Sequence, residues 1–333
     1  MPRVSVLLPA WNAAATLEAC LASLSRQTEP DWEAVVVDDG SSDATARIAA
    51  LAASRDPRID VVTLSHGGLV AALRAGLERC RGTYVARMDA DDLMRRDRLR
   101  AQADALDADR SLAAASCQVR IFPRRALTGG LRQYERWLNG IATPDDARRE
   151  AFVECPVAHP TLMMRRETLV RLGYRDCPWP EDYDLFLRAL AWGLRIGVVP
   201  RRLVAWRDGP SRLSRTDPRY GRSQFAACKA HYLALGFLAR AEGYILWGYG
   251  GTGRALRRAL AAHGRRPSAI VEVATRKIGQ RIHGAPVIPP TELPAWRGAP
   301  IVVSVAHAGP RAEVRAALVG MGFAELGDFV CAA

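Results

Sequence analysis

Short apolar runs that alternate with helix-like segments constrain the fold of this sequence more than any other feature. The runs cover residues 4–8, 34–37, 58–64 and 83–86, and their length and β-branched content are typical of buried strands. The segments between them, residues 16–25, 44–53 and 68–81, are predicted to form helices. This alternation of strand and helix predicts an α/β domain with a mostly parallel sheet.

Polar and aromatic residues stand where the first two strands end. Pro9, Trp11 and Asn12 close the first strand, and Asp38 and Asp39 close the second. Ligands of parallel sheets bind beyond the carboxyl ends of the strands, so we expect a binding edge that can hold a base and a ribose. Two alternatives stay open: Trp11 belongs to the core, or the two carboxylates only cap a helix.

The fourth strand runs into an acidic stretch that follows Arg87 and contains Asp89, Asp91 and Asp92. Carboxylates this close repel one another unless a cation lies between them, and Mg²⁺ and Mn²⁺ prefer oxygen ligands. A cation at a strand end can neutralise a diphosphate, so the stretch predicts a metal site. The alternative is a solvated acidic turn that caps a helix beginning near Leu93.

Further candidates lie beyond a less regular segment with a predicted helix at 97–108, a strand at 112–122 and helical turns near 134–138 and 145–152. His159 stands just before an apolar run, where it either lines a binding site or is structural. Glu181 and Asp182 open a helix that extends to about residue 192. The helix dipole alone can explain acidic residues there, so a functional role and a structural one both remain open.

The C-terminal part contains a glycine-rich turn between a strand at 244–247 and a helix at 253–263. Gly248, Gly250 and Gly253 form the Gly-x-Gly-x-x-Gly pattern of dinucleotide-binding turns, and Glu272 follows close to the ribose-binding position. About ninety residues are too few for both halves of a dinucleotide fold. Binding of an NAD-like nucleotide and a structural or partner-docking role therefore both remain open.

The predicted organisation is a first domain at 1–222, a helical linker at 223–242 and a small Rossmann-like domain at 243–333. The net charge of +12 first suggests nucleic acid or an anionic membrane, but 45 of the 47 basic residues are arginine in an alanine-rich chain. That composition indicates GC-rich coding as much as a basic face, so we expect no nucleic-acid partner.

Localisation follows from what the sequence contains. Seven scattered cysteines without a Cys-x-x-Cys pair argue against zinc and against a disulfide framework. No leader-like segment opens the chain, and no apolar run approaches the ~20 residues that span a bilayer. We predict a soluble cytoplasmic protein, with any membrane contact peripheral and at the inner face.

Taken together, five stretches resemble glycosyltransferase family 2, which has the GT-A fold: residues 6–12, 36–43, 86–92, 159–161 and 181–188. They come in the family order, and the resemblance covers roughly residues 1–220. It implies inverting, metal-dependent transfer of a sugar from a nucleotide sugar, preferably UDP-linked, to a hydroxyl of a glycan or lipid-linked acceptor. The context it implies is cell-surface polysaccharide synthesis. Asp182 would be the general base, with Glu181 in support.

The resemblance also implies roles at the strand ends. Asp39 would contact the base, and Asp38 and Trp11 would line the nucleoside pocket. Asp89 would face the ribose or the metal shell, and Asp91 would ligate Mn²⁺ or Mg²⁺ at the diphosphate. The cation would offset the charge of the leaving nucleoside diphosphate.

One departure from the family pattern concerns the metal site. Relatives often carry a histidine where this chain has Gly209, so the third metal ligand is not identified. Arg207, Arg212 and Ser214 can instead close a loop over the diphosphate. Two other functions compete: a catalytically silent nucleotide-sugar-binding protein, which the missing histidine favours, and a sugar nucleotidyltransferase. The latter is expected to have a Gly-rich basic loop after the first strand, which is absent.

Overall fold

Strands and helices alternate through the N-terminal part of the chain as the apolar pattern predicts. The computed structural model describes residues 1–210 and 212–333. The first elements are β1 (Val4–Ala10), α1 (Leu17–Ser25), β2 (Trp32–Asp38), α2 (Thr45–Arg55), β3 (Ile59–Thr63), α3 (Leu69–Arg79) and β4 (Tyr84–Arg87). The next are β5 (Leu93–Met94), α4 (Arg98–Ala108), β6 (Leu112–Phe122), α5 (Gly129–Gly140), α6 (Pro144–Arg149), β7 (Met163–Arg165), α7 (Arg166–Leu172), α8 (Glu181–Ala191) and β8 (Arg195–Arg207).

These eight strands form one sheet in the order β3-β2-β1-β4-β7-β6-β8-β5. The pairs from β3 to β4 are parallel, as is β6 with β8, whereas β7 and β5 run antiparallel to their neighbours. The α/β fold with a mostly parallel sheet is therefore confirmed. Because β2, β1 and β4 are parallel neighbours, their carboxyl ends lie at one edge.

Strand β1 lies between β2 and β4 in this parallel region, and its residues are apolar enough to be buried there. Alternate residues Val4, Val6 and Leu8 are fully buried in the core on one face of the sheet. Pro9 has no N–H to donate, yet it pairs in register with β2. It is tolerated because the pairing with β4 has already ended at Leu7.

The segment after the acidic stretch differs from the sequence prediction. Leu93–Met94 forms the short strand β5, which pairs antiparallel with β8, and the next helix begins only at Arg98. The helix near Leu93, which belonged to the alternative for the acidic stretch, is therefore wrong, whereas the helix predicted at 97–108 is confirmed. Pairing of Leu93 with Ala205, far along the chain, outweighs the local capping signal.

A second sheet follows in the C-terminal part. Its elements are α9 (Leu213–Thr216), α10 (Arg222–Leu235), β9 (Tyr244–Trp247), α11 (Gly251–Ala262), β10 (Pro267–Val271), β11 (Arg281–Ile282), β12 (Ala285–Ile288), β13 (Ile301–Val303), α12 (Ala308–Gly320) and β14 (Phe329–Cys331). The strand order is β11-β12-β10-β9-β13-β14, and every neighbouring pair except β11 with β12 is parallel.

The chain divides into two compact units. The first comprises Met1–Ala147, Pro156–Cys177 and Arg188–Arg212, and the second comprises Arg148–Cys155, Pro178–Leu187 and Leu213–Ala333. The domain limits predicted from the sequence stay a prediction. Among the residues that the structure describes, no helix combines the length and the apolar character needed to cross a bilayer.

Gly82 lets the chain pass close to β1 just before β4 begins. Its N–H donates to Ser5 Oγ at 2.7 Å, and a Cβ there would lie 2.5 Å from the Ser5 backbone nitrogen. We expect Gly82→Ala to lower the free energy of unfolding by about 1–3 kcal/mol because the β1 backbone cannot move aside.

Urea denaturation followed by circular dichroism measures this change. Gly140→Ala is the matched control, because a Cβ at Gly140 meets nothing within 4 Å. Equal urea midpoints for Gly82→Ala and the wild type would show that the close approach is not tight.

Candidate functional site

The ends of β1 and β2 are joined by hydrogen bonds into one surface. The Asp39 N–H donates to Ala10 O at 2.9 Å. Asn12 adopts a positive φ of 48°, and its Oδ1 accepts from the Ser42 N–H at 2.9 Å. Its own N–H donates to Ser41 Oγ at 2.9 Å. The structure thus brings the residues that follow the two strands together, as expected for a parallel pair.

Asp38 and Asp39 are both buried at this edge. The two oxygens of Asp39 accept from the N–H groups of Gly67 and Gly68, each at 2.9 Å, and therefore cap the start of α3. Asp38 accepts from the Ser41 N–H at 3.3 Å within the turn. Helix capping thus holds for Asp39, although at α3 and not at the next helix in sequence, and it does not hold for Asp38; binding by either carboxylate stays a prediction.

An exposed aromatic pair lies beside Asp39. Trp11 is 54% exposed, so the alternative that it belongs to the core is wrong. Its ring stacks on His66, with ring centroids 4.6 Å apart and planes 19° from parallel. His66 Nδ1 lies 2.9 Å from Asp39 Oδ2. The sequence reasoning missed His66, although its place between β3 and the glycines that open α3 was a usable signal.

The acidic stretch at the end of β4 is a compact cluster of three carboxylates. Asp89, Asp91 and Asp92 can each present an oxygen so that all lie within 4.8 Å of one another. Asp92 is fully buried, and its Oδ1 accepts from the Arg207 N–H at 2.6 Å. Its Oδ2 is buried without a hydrogen-bond partner among the described residues. Asp92 is therefore not solvated, whereas Asp89 and Asp91 are partly exposed, and the metal site stays a prediction.

Desolvation and the mutual repulsion of the carboxylates shift the pKa values of the cluster. Burial, and then the charge of Asp89, raises the pKa of Asp91 to about 6. The same causes raise the pKa of Asp92 well above its ordinary value. For Asp89, burial acts upward, but the charges of Arg87, His159 and Arg212 outweigh it and lower the pKa.

These observations allow a test of whether the residues suit a divalent cation. The donor set consists of carboxylate oxygens, which Mn²⁺ and Mg²⁺ prefer. The unpartnered Asp92 Oδ2 and the raised pKa values both show that the cluster has capacity for added positive charge. The residues fit such an ion, with Asp89, Asp91 and Asp92 as the ligand candidates.

Arginines surround the cluster because β5 pairs with the end of β8. Arg87 Nη2 lies 2.6 Å from Asp89 Oδ1, and the Arg207 Nε–H donates to the Asp91 carbonyl oxygen at 2.7 Å. The Arg212 guanidinium lies over the Trp206 ring, 4.2 Å from its centroid. At Gly209, a Cβ would meet nothing within 4 Å.

Two further side chains lie in the same unit. His159 is buried, and its Nε2 lies 3.3 Å from Tyr174 Oη. Arg98 is fully buried and donates to Arg87 O at 2.8 Å and to Gln102 Oε1 at 2.9 Å. Sequence reasoning missed Arg98, because a helical arginine in an arginine-rich chain gives no signal of burial.

The second unit holds the predicted base. Glu181 is buried and accepts from Tyr220 Oη at 2.7 Å, whereas Asp182 is partly exposed and accepts from the Tyr183 N–H at 2.7 Å. Although the residue is partly exposed, desolvation of its carboxyl group by the surrounding protein, followed by the charges of Glu181 and Glu154, raises the pKa of Asp182 to about 8. Ser214 lies in the short helix α9 of this unit.

The glycine-rich turn after β9 is explained largely by packing. Gly248 has a φ of +95°, and a Cβ on Gly253 would lie 2.2 Å from Gly248 O. Gly250 is the N-cap of α11. Glu272 Oε1 accepts from the Tyr249 N–H and from Lys277 Nζ, each at 2.9 Å. Ribose binding by Glu272 stays a prediction.

A parallel sheet with acidic and aromatic residues at its carboxyl edge is the architecture of ligand-binding α/β proteins. The model of the family "Glycosyl transferase family 2" matches residues 5–173, just over half of the chain. The chain belongs to glycosyltransferase family 2. EpsJ of Bacillus subtilis (strain 168), named an uncharacterized glycosyltransferase, is 41% identical over 228 residues, which are 64% of this chain and 63% of EpsJ.

Other similar proteins are named for polysaccharide synthesis or have been solved with nucleotide sugars. The amylovoran biosynthesis glycosyltransferase AmsE of Erwinia amylovora is 30% identical over 62% of this chain and 76% of its own length. S. aureus TarS with UDP-GlcNAc has a TM-score of 0.54 and 18% identity, over 78% of this chain and 72% of TarS. The mannosyltransferase PcManGT of Pyrobaculum calidifontis with GDP-Man and Mn²⁺ has a TM-score of 0.52 and 21% identity, over 98% of this chain and 82% of PcManGT. These two structures show the fold.

We expect Asp91→Asn to stabilise the cation-free protein at about pH 7.5, because it removes one like charge from the cluster. The wild type should melt several degrees higher when Mn²⁺ is added, and the variant should lose that rise. Differential scanning calorimetry with EDTA or Mn²⁺ measures both effects.

Glu78→Gln, an equal charge change on the exposed side of α3, is the control and should keep the response to Mn²⁺. A variant that melts below the wild type without cation and still responds to Mn²⁺ would exclude Asp91 from the site.

Proposed function

We propose that this protein transfers a sugar from a nucleoside diphosphate sugar to an acceptor hydroxyl, with a divalent cation and with inversion at the anomeric carbon. The observation that carries the proposal is the carboxylate cluster at the end of β4, in which Asp92 is buried, Asp89 and Asp91 are partly exposed, and Asp92 Oδ2 is unpartnered among the described residues. A cluster that accommodates added positive charge is suited to hold a cation and, through it, a diphosphate.

In this proposal Asp89 and Asp91 hold Mn²⁺ or Mg²⁺, with Asp92 as a third candidate ligand. When bound, the cation would offset the charge on the leaving diphosphate. Arg207 and Arg212 supply further positive charge where relatives often have a histidine ligand. Their contacts with Asp91 and Trp206 support this role.

The nucleoside is proposed to lie at the ends of β1 and β2. Trp11 stacked on His66 offers a flat aromatic surface, and base stacking on such rings contributes about 1–3 kcal/mol. Asp39 would accept from a base N–H, and Asp38 would complete the pocket. We take UDP as the nucleotide; similar structures were solved with UDP-GlcNAc and with GDP-Man.

Asp182 is the proposed general base, and Glu181 supports it by raising its proton affinity. An acceptor hydroxyl is a poor nucleophile, so a carboxylate that takes its proton accelerates attack. Attack opposite the leaving diphosphate, without a covalent intermediate, inverts the anomeric centre. The pKa of about 8 gives Asp182 the proton affinity for this step.

The acceptor is proposed to be a glycan or a lipid-linked saccharide in cell-surface polysaccharide synthesis. The name of AmsE supports this context. The match covers less than two thirds of EpsJ, so the activity of a whole relative is not carried over. We place the reaction in the cytoplasm, with any membrane contact peripheral.

The C-terminal sheet is interpreted as a small Rossmann-like domain. Its parallel strand order, with β9 between β10 and β13, supports this interpretation. Because Glu272 is engaged by Tyr249 and Lys277, a structural or docking role is favoured over binding of an NAD-like nucleotide.

A screen of common nucleotide sugars by thermal shift tests the donor proposal. We expect a UDP-sugar to raise the melting temperature with Mn²⁺ present, and the rise to be lost in EDTA. If no nucleotide sugar shifts the melting temperature or is hydrolysed in Mn²⁺, the proposed function is wrong.

Asp182→Asn separates an enzyme from a silent binding protein. We expect transfer to fall about 10²–10⁴-fold because the amide cannot accept the proton. The affinity for UDP and Mn²⁺ should change by less than about twofold. Single-turnover transfer and calorimetric titration measure the two quantities, and undiminished turnover would show that another group is the base.

The wild-type rate should also depend on pH with a defined sign. The pKa of Asp182 is raised to about 8, so the carboxylate that accepts a proton predominates only above that pH. The transfer rate should rise about tenfold per pH unit below pH ~8 and level above it. The residual rate of Asp182→Asn should lack this rise; a flat wild-type profile would contradict the assignment.

A further inference from the structure

An arginine-lined cavity lies in the first unit, apart from the carboxylate cluster. Its volume is about 280 Å³, near the lower end of the range of about 300–1,000 Å³ for small-molecule pockets. The lining residues are Arg124, Arg132, Glu135, Arg136, Asn139 and Arg202. They come from α5, from the turn after β6 and from β8.

Helix α5 presents its share of the lining from one face. Residues 132, 135, 136 and 139 are three or four apart and are therefore neighbours on the helix surface. Asn139 fixes this face to the sheet, because its side-chain amide donates to Val119 O at 2.9 Å and accepts from the Val119 N–H at 2.8 Å. The cavity is thus held by regular structure.

The lining has more positive than negative charge. Its one carboxylate, Glu135, is buried and accepts hydrogen bonds from Arg124 Nη1 and from the Ile121 N–H. Arg132 donates to the backbone oxygens of Leu127 and Arg124. Within the described residues, Arg136 and Arg202 form no ion pair with a carboxylate. Arg132, Arg136 and Arg202 are exposed and lack a carboxylate partner among the described residues, so their positive charges are available to a ligand from solvent.

We propose that this cavity binds a phosphate group carried by the acceptor. Guanidinium groups match phosphate oxygens with paired hydrogen bonds, and three uncompensated charges suit a multiply charged phosphate better than a single carboxylate. The acceptor role rests on the proposed function. The cavity differs from the donor site, where a diphosphate is met by a cation on carboxylates.

Packing ties the cavity to the carboxylate cluster within the same unit. Tyr134, on α5, packs on Trp206 of β8 with ring centroids 6.2 Å apart. Trp206 in turn carries the Arg212 guanidinium, whose charge lowers the pKa of Asp89. An acceptor phosphate bound by Arg136 and Arg202 is therefore held on elements that also shape the donor site.

Calorimetric titration of glucose 1-phosphate into the full chain, saturated with UDP and Mn²⁺, tests the proposal. Filling the donor site first restricts the probe to other positions. Glucose serves as the neutral probe and glucuronate as the carboxylate probe. The variant is Arg136→Gln combined with Arg202→Gln, and Arg125→Gln is the control, because it removes an adjacent charge that does not line the cavity.

We expect one glucose 1-phosphate to bind, with at least about tenfold weaker binding in the double variant. The control variant should bind glucose 1-phosphate as tightly as the wild type, and the affinity for UDP and Mn²⁺ should stay unchanged. Three results would each overturn the phosphate site. The double variant binds glucose 1-phosphate as tightly as the wild type, the control variant is weakened as much as the double variant, or glucuronate binds as tightly as glucose 1-phosphate.

Failure of UDP and Mn²⁺ to bind would instead count against the proposed function. In that case glucose 1-phosphate is titrated alone. If glucose 1-phosphate then binds to the wild type but not to the double variant, the phosphate site is retained. The role of that site for an acceptor is overturned.

Discussion

Repulsion among three carboxylates at the end of β4 is the constraint on which the rest of the site depends. Asp91 and Asp92 carry raised pKa values because they are buried beside Asp89. The fold tolerates this because Arg87 pairs with Asp89, while Arg98 is buried and bonded to the Arg87 carbonyl oxygen. A cation bound as proposed would relieve this repulsion, and its binding would then be coupled to folding stability.

The two-residue strand β5 sets what surrounds that cluster. Its antiparallel pairing with β8 carries the chain from Asp92 to Arg207, where a backbone hydrogen bond joins them. The pairing also brings the loop that carries Arg212 into electrostatic reach of Asp89. A side chain that ligates a cation is absent at Gly209, and fixed positive charge stands nearby instead.

The parallel sheet and the strand-end residues could be predicted because apolar runs and the polar residues that follow them are local in sequence. Strand β5 could not, because a pairing across more than a hundred residues decides it. His66 and Arg98 were missed for a similar reason. Their neighbours come from separate segments, so burial and stacking are fixed by tertiary packing and not by periodicity. The short apolar pair at Leu93 fits a helix or a strand equally well.

Asp39 shows how one side chain can serve both the fold and a ligand. Its oxygens already accept from Gly67 and Gly68, which fixes the carboxylate at the start of α3. Oδ2 also lies 2.9 Å from His66 Nδ1, whereas the second lone pair of Oδ1 retains the capacity to accept from a base N–H. A carboxylate that is already immobilised loses little side-chain entropy on binding. If Asp39 contacts the base as proposed, the cap that stabilises α3 also preorganises nucleoside recognition, and the stacked Trp11 and His66 complete it without rearrangement of the sheet.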